Sequence, residues 1–303
     1  MTSEDRIGLL KRRAEIVRAI RRFFDERGFV EVETAVRIPA PAPEEHIDCP
    51  PVVGGGYLRA SPELQMKKLL AAGMDKIYQI GPCFREGERG SRHNPEFTML
   101  EWYRTNATYL DIMGDLENLL NTEFSIGESA GRSASQSPSS FQIPAEGGSV
   151  FKVLKVREAY LKYADWDPWT DWDQDRFDFD MATKIEPAVK ALGGGVFLTD
   201  YPPQAASLAK LRGDVAERWE FYWDGMELAN CFTELCDKDE QAARFAAAKE
   251  ARKLLKESDY PIDCEFIECL EQIHSAAGIA VGIDRLVMIL TKAKEISAVR
   301  ANI

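Results

Sequence analysis

Two strand-forming runs, Trp219 to Trp223 and Met226 to Ala229, are separated only by Asp224-Gly225. A link this short joins antiparallel neighbours, because parallel strands need a crossover of a dozen residues or more. This hairpin is the strongest local constraint in the chain. Around it the hydrophobic period changes repeatedly. Ile7, Leu10, Ala14, Val17, Ile20 and Phe24 recur at three- and four-residue steps, which predicts an amphipathic helix that Gly28 stops. Phe29 to Thr34 then predicts a strand, followed by a Pro-punctuated loop and the triplet Gly54 to Gly56. A short strand at Tyr57 to Ala60 leads to Ser61-Pro62-Glu63, a helix start with Ser as cap and Pro at the first position. Further strands are predicted at Lys76 to Ile80, Thr98 to Tyr103 and Val196 to Leu198, with helices at Lys238 to Glu257 and Leu286 to Lys294.

Two segments look like sites and fail on inspection. Asp171, Asp173 and Asp175 start like a calcium loop, but Arg176 stands where Gly is needed and Ala182 where Glu is needed. A solvated acidic face is the better reading. Gly193-Gly194-Gly195 has no surrounding phosphate-loop pattern, so it reads as a helix stop. Residues 125–149 are rich in Ser, Gly and Pro and read as a loop or insertion.

Composition narrows the function. A chain of 303 residues that is 45% hydrophobic and 29% charged can bury a sizeable core. Its 38 Lys and Arg against 50 Asp and Glu leave a net charge of −12, which argues against an extended nucleic-acid footprint but leaves room for a local basic pocket. The six cysteines form no C-x-x-C and there are three histidines, so reduced thiols are expected rather than a zinc site. No apolar run reaches membrane-spanning length and the start lacks a secretory pattern, so a cytoplasmic protein without membrane insertion is expected.

Three segments carry candidate chemistry: Phe84 to Tyr103, Glu220 with Glu227 to Leu235, and Gly278 to Arg285. Guanidinium groups bind phosphate oxygens bidentately, carboxylates hold magnesium, and glycine lets a backbone approach a nucleotide. Together they suggest an ATP site. Taken singly, each has a bland alternative: Arg85 in a surface ion pair, Glu227 and Glu234 as solvated strand residues, Gly282 as a packing glycine.

The wording of these segments resembles the three signature motifs of class II aminoacyl-tRNA synthetases, closest to the lysyl branch. R-H-N-P-E-F-T-M-L-E-W-Y stands at Arg92 to Tyr103 and G-I-D-R-L at Gly282 to Leu286. The resemblance runs from the first helix to about Leu290, broken at the Ser-rich stretch. It implies an α+β fold, a mainly antiparallel sheet flanked by helices, forming one catalytic domain over residues 1–303. It also implies a homodimer built on Arg13 to Thr34, although Ala35 stands where the family usually has proline. Arg85 would then bind the α-phosphate of ATP, Phe97 would lie under the adenine, and Arg285 would reach towards the γ-phosphate. His93, Asn94, Glu86, Gly87 and Gly282 would complete the nucleotide pocket. The family usually has Glu where Gly87 stands, with Glu86 and Glu88 as its neighbours. Glu220 and Glu227 would bind magnesium, beside Leu228. Ser61, Pro62, Glu63, Glu101, Tyr103, Asn230, Phe232, Glu234 and Ala280 would line a lysine pocket, in which acidic groups neutralise ammonium groups and Phe232 covers the aliphatic stem.

Lysyl-tRNA synthetases carry an anticodon-reading barrel ahead of the first catalytic helix, which begins here within ten residues. The expectation is a free-standing catalytic domain without anticodon-dependent tRNA binding, the architecture of the elongation factor P lysine ligases. Ser61 in place of Ala and Ala280 in place of Gly agree with that branch. Such a resemblance implies transfer of lysine or (R)-β-lysine to elongation factor P. A truncated synthetase acting on tRNA or another acceptor is the enzymatic alternative, and a silent amino-acid sensor is the non-enzymatic one. Cys231 replaces a Gly common to both groups, and the sequence alone offers no reason for it.

Overall fold

The computed structural model describes residues 3–45, 47–125, 151–255 and 257–301. Apart from Ser125, the Ser-rich stretch 125–149 lies outside the described residues. The chain divides into two compact units, Met1–Asn106 with Glu234–Ile303, and Ala107–Thr233.

The first unit opens with α1 (Ser3–Asp25), longer than its periodicity predicts by four residues at the start. Gly28 follows with a φ of 72°, a left-handed conformation natural to glycine, and ends the helix as expected. The strand predicted at Phe29 to Thr34 is cut to β1 (Val30–Glu31). The reason is local. The Thr34 amide donates to Gln79 Oε1 at 2.9 Å and its carbonyl accepts from the buried Arg59 at 2.9 Å, so side chains replace ladder partners. Ala35 gives its carbonyl to the same guanidinium. β2 (Arg37–Ile38) and β3 (Tyr57–Leu58) form a small antiparallel pair. Then come α2 (Glu63–Ala71), β4 (Lys76–Phe84) and β5 (Glu96–Thr105). Leu100 and Trp102 on one face of β5 are fully buried, with Trp102 5.1 Å from Phe24 of α1 between ring centroids. Burying such a side chain contributes roughly 2–3 kcal/mol, so this layer holds α1 on the sheet.

The second unit begins with α3 (Tyr109–Phe124), which the sequence reading did not assign. The signal is present: Thr108 and Asp111 form a reciprocal capping box, and Ile112, Leu116, Leu119 and Leu120 are buried at helical spacing. β6 (Lys152–Lys155) and the short α4 (Val156–Ala159), α5 (Gln174–Asp180) and α6 (Glu186–Leu192) follow. Asp171, Asp173 and Asp175 are exposed, the solvated face the sequence predicts, whereas Asp180 further along is not. Asp173 caps α5, and Asp180 is buried where it accepts from Trp166 Nε1 at 2.8 Å. Gly193 and Gly194 end α6 with positive φ before β7 (Gly195–Tyr201). β8 (Leu211–Arg212), β9 (Val215–Trp223) and β10 (Met226–Thr233) complete the unit. Asp224 and Gly225 take φ of 47° and 74°, the conformation the predicted two-residue hairpin turn requires. The strand order here is β10-β9-β7-β6, with β8 also on β9. Among the described residues of this unit, β6–β7 is the parallel pair and the others are antiparallel.

The chain then returns to the first unit with α7 (Lys238–Leu254), α8 (Cys264–Cys269), β11 (Ala276–Gly282) and α9 (Ile283–Thr291). The sheet order in this unit is β1-β4-β5-β11, with β1–β4 parallel and the other pairs antiparallel. The result is the expected α+β architecture of mainly antiparallel strands flanked by helices. The six cysteines, all among the described residues, form no disulfide. No helix among the described residues is long and apolar enough to cross a membrane.

Candidate active site

Strand alternation decides what β5 presents. Leu100 and Trp102 face the core, so Phe97, Met99, Glu101 and Tyr103 share the other face. Register adds Ala280 opposite Glu101 and Gly278 opposite Tyr103 from β11. On the next strand, Cys83 lies opposite Phe97, and Arg85 follows just past the end of β4.

Arg85 stands over Phe97, its guanidinium carbon 5.2 Å from the ring centroid, and pairs with Glu88 at 3.5 Å. Gly87 has a φ of 77°, so the usual family Glu would be strained there and glycine suits the turn. Glu86 is exposed, and its amide donates to the Asp48 carbonyl at 2.7 Å. Arg285 Nη2 lies 2.8 Å from His93 Nε2. Burial and the neighbouring Arg285 cation lower the pKa of His93, which favours a neutral ring. Asn94 donates to the Glu96 carbonyl and so shapes its own loop. A Cβ on Gly282 would meet nothing closer than the Arg285 side chain at 3.6 Å. Protein crowding therefore does not demand glycine at that position.

One feature of this side was not singled out from the sequence. Asp284 is buried and takes Arg13 Nη1 at 2.5 Å on one oxygen, and Arg300 Nη1 at 3.0 Å with the Thr98 amide at 2.7 Å on the other. Helix α1, strand β5 and the residue before Arg285 are thus joined through one carboxylate. Its signal was the D of G-I-D-R-L, read only as part of the motif.

The amino-acid cluster is tighter. The Ser61 hydroxyl donates to Glu101 Oε1 at 2.7 Å and accepts from the Glu63 amide at 2.9 Å, but α2 begins one residue later than predicted and Pro62, not Ser61, holds its cap position. Tyr103 donates to Glu101 Oε2 at 2.8 Å, so both oxygens of this buried carboxylate have partners. Pro62 is buried at the helix start. Gly278 is demanded by sterics: a Cβ there would lie 2.1 Å from Tyr103 ring carbons and 2.8 Å from Glu234 Oε1. Only glycine lets those two side chains close over β11.

At the centre is Lys67, which the sequence reading passed over. Its ammonium, 1% exposed, meets Glu63 Oε1 at 2.5 Å and also pairs with Glu234 Oε2. Burial opposes the charge on Lys67, but Glu234 and Glu63 outweigh it and hold the pKa above the ordinary lysine value. Burial pushes Glu101 up to about 7, with the nearby Glu63 adding to it. Glu234 is raised to about 8 by burial, against the opposing pull of Lys67. Glu234 Oε1 is buried and accepts no hydrogen bond from the described residues. Lys67 acts on Glu63 and Glu234, and the buried Arg59 acts on Glu101, so the three carboxyls lie among two cations. The sequence signal for Lys67 was weak, since a lysine in a helix reads as surface.

In the second unit a β-bulge does the arranging. Glu227 pairs opposite Tyr222 and Asn230 opposite Glu220, with the register shifting at Leu228. Residues three apart would normally face opposite ways, but the extra residue brings Glu227, Asn230 and Phe232 onto the face of Arg218, Glu220 and Tyr222. Leu228 itself is buried. Glu220 accepts from Arg218 Nη2 and from Tyr222 OH, both at 2.6 Å. Arg218 also stands over the Phe232 ring, 5.7 Å from its centroid. Cys231, unexplained by the sequence, pairs opposite Trp219 on the other face, buried near the Tyr109 carbonyl. It does not belong to this group.

The family model described as tRNA synthetases class II (D, K and N) matches residues 1–301. Curated relatives named elongation factor P–(R)-β-lysine ligase cover almost the whole chain. That of Proteus mirabilis is 35% identical, that of Yersinia enterocolitica 37% and that of Photorhabdus laumondii 38%. Each alignment spans 97% of this chain and 94% of the relative.

Proposed function

Because the chain belongs to the class II tRNA synthetases of the D, K and N group, we propose that it is an ATP-dependent ligase for a lysine-like amino acid. It forms an aminoacyl-adenylate from (R)-β-lysine or lysine and passes the acyl group to the ε-amine of a lysine on elongation factor P. The observation that carries this reading is the buried Lys67 held between Glu63 and Glu234, with the buried Glu101 nearby, in which Glu234 Oε1 accepts no hydrogen bond from the described residues. Glu234 pairs with Lys67 through Oε2 and burial favours its protonated form, so an ammonium group donating to Oε1 would draw it towards the ionised form. The names of the relatives support the choice of acceptor.

The chemistry needs no protein nucleophile. An oxygen of the substrate carboxylate attacks the α-phosphorus of ATP and pyrophosphate leaves. The acceptor amine then attacks the acyl carbon, the bond to AMP breaks, and the amine loses a proton. Arg85 and Arg285 stabilise charge developing on the phosphates, so catalysis is positioning plus electrostatics. Neutral His93 beside Arg285 adds no competing positive charge. Magnesium takes one or two carboxylates plus phosphate oxygens rather than an all-protein cage. Glu220 and Glu227 share one face of their hairpin and would hold the ion, with Glu220 turning from Arg218 and Tyr222, which take both its oxygens here, and the ion would supply positive charge. Cytoplasmic location and a homodimer resting on α1 and β1 belong to the same reading.

Incubating the protein with ATP, magnesium and elongation factor P should add one lysyl unit to the partner's intact mass, with (R)-β-lysine or α-lysine. No mass increase with either isomer would defeat the proposal, and efficient charging of tRNA instead would favour a synthetase.

The raised carboxyls also predict a pH dependence. Below about 7 to 8 Glu101 and Glu234 hold protons and pair poorly with an ammonium group; above it they are ionised. The amino-acid KM in pyrophosphate exchange should therefore fall as pH rises through this window, while the KM for ATP changes little. A flat amino-acid KM across it would contradict the assignment.

A further inference from the structure

Arg252, near the end of α7, is a guanidinium 1% exposed and remote from the signature motifs in sequence. It does not serve its own helix. Nη1 donates to the carbonyls of Glu44 at 2.6 Å and Ile47 at 3.1 Å, and Nη2 pairs with Asp48 at 2.5 Å. Its plane lies over Tyr260, 4.4 Å from ring centroid to guanidinium carbon. Nη1 also pairs with Glu257 at 2.9 Å, and Nε donates to the Ser258 carbonyl at 3.1 Å. Tyr260 reaches the same loop, its hydroxyl donating to Asp48 at 3.0 Å and accepting from the Cys49 amide at 2.7 Å. So many directed bonds from one buried cation to one loop exceed what packing alone requires.

The pinned loop touches both halves of the site in this unit. Its Asp48 carbonyl accepts the Glu86 amide at 2.7 Å, the residue next to Arg85. Glu44, Ile47 and Cys49 also line a pocket together with Ala60, Ser61 and Glu63. We propose that Arg252 is a positioning residue that sets, through Glu44, Ile47, Asp48 and Cys49, both the loop carrying Arg85 and one wall of the amino-acid pocket. This rests on the reading of Ser61 and Glu63 as amino-acid-binding residues. Arg252 touches neither substrate, so its effect passes through the loop's position.

The test uses full-length Arg252→Gln and the milder Tyr260→Phe, which keeps the ring beneath Arg252 and loses only the hydroxyl. Pyrophosphate exchange should show both KM values, for amino acid and for ATP, raised about tenfold in Arg252→Gln, with kcat within about threefold. Tyr260→Phe should move both KM values in the same direction by a smaller factor. Hydrogen exchange in the wild type and Tyr260→Phe should show faster exchange at the Cys49 and Glu86 amides in the variant, with β4 unchanged. If Arg252→Gln does not fold, Tyr260→Phe decides. Folded variants whose two KM values stay within twofold of wild type, or a Glu86 amide that exchanges as before, would overturn the proposal. A wild type without exchange on either lysine isomer would defeat the functional reading instead, and the Glu86 amide would still judge the coupling.

Discussion

Arg85→Ala is expected to lower adenylate formation by about a hundred- to a thousand-fold, the loss typical of removing one donor aimed at developing charge. The fold should barely notice. The Arg85 side chain is 28% exposed, its ion pair with Glu88 is a long 3.5 Å contact, and its backbone amide keeps its bond to the Pro95 carbonyl. A pair of that kind contributes at most about 1 kcal/mol, a shift of roughly 2–4 °C in Tm for a chain of this size. The substitution therefore separates chemistry from stability. Arg85→Lys should recover little, because an ammonium keeps the charge but loses the bidentate fork and the planar stack on Phe97. Pyrophosphate exchange alongside thermal melts measures both quantities. Activity within tenfold of wild type, or a collapse in Tm that explains the loss, would remove Arg85 from the phosphate-binding role.

The parts of the site legible in the sequence are those written in contiguous motifs. Strand period places Phe97, Glu101 and Tyr103 on one face without any structure, and Asp224-Gly225 announces its hairpin by needing two left-handed residues. Register is less legible. The bulge at Leu228 that turns Glu227 and Asn230 to the same side leaves no turn residue or proline to mark it. Long-range pairing is least legible. Nothing near Arg13 says that it meets Asp284, 271 residues away, and nothing near Arg252 says that it holds Asp48. Lys67 is hidden for another reason. A lysine is ordinarily read as solvated, and only the convergence of Glu63 and Glu234 makes its burial affordable.

Glu234→Gln should weaken the lysine-like substrate by roughly 2 kcal/mol or more, about thirtyfold in amino-acid affinity, with the KM for ATP little changed. The wild-type carboxylate offers Oε2 to Lys67 and leaves Oε1 without a hydrogen-bond donor among the described residues. A neutral amide removes the charge that would attract an ammonium group. It also leaves Lys67, fully buried, with Glu63 as its carboxylate partner among the described residues, so some stability is lost as well. The two effects are separable by a second change. Lys67→Met in the Glu234→Gln background removes the stranded cation and should recover much of the Tm, because replacing both members of a buried pair costs less than breaking it. It should not recover substrate affinity, since no carboxylate has returned to Oε1. Calorimetric titration of the amino acid into each variant, with a melt of each, reads both quantities. Unchanged affinity in folded Glu234→Gln would mean that Glu234 serves Lys67 alone, and that the ammonium group is held elsewhere.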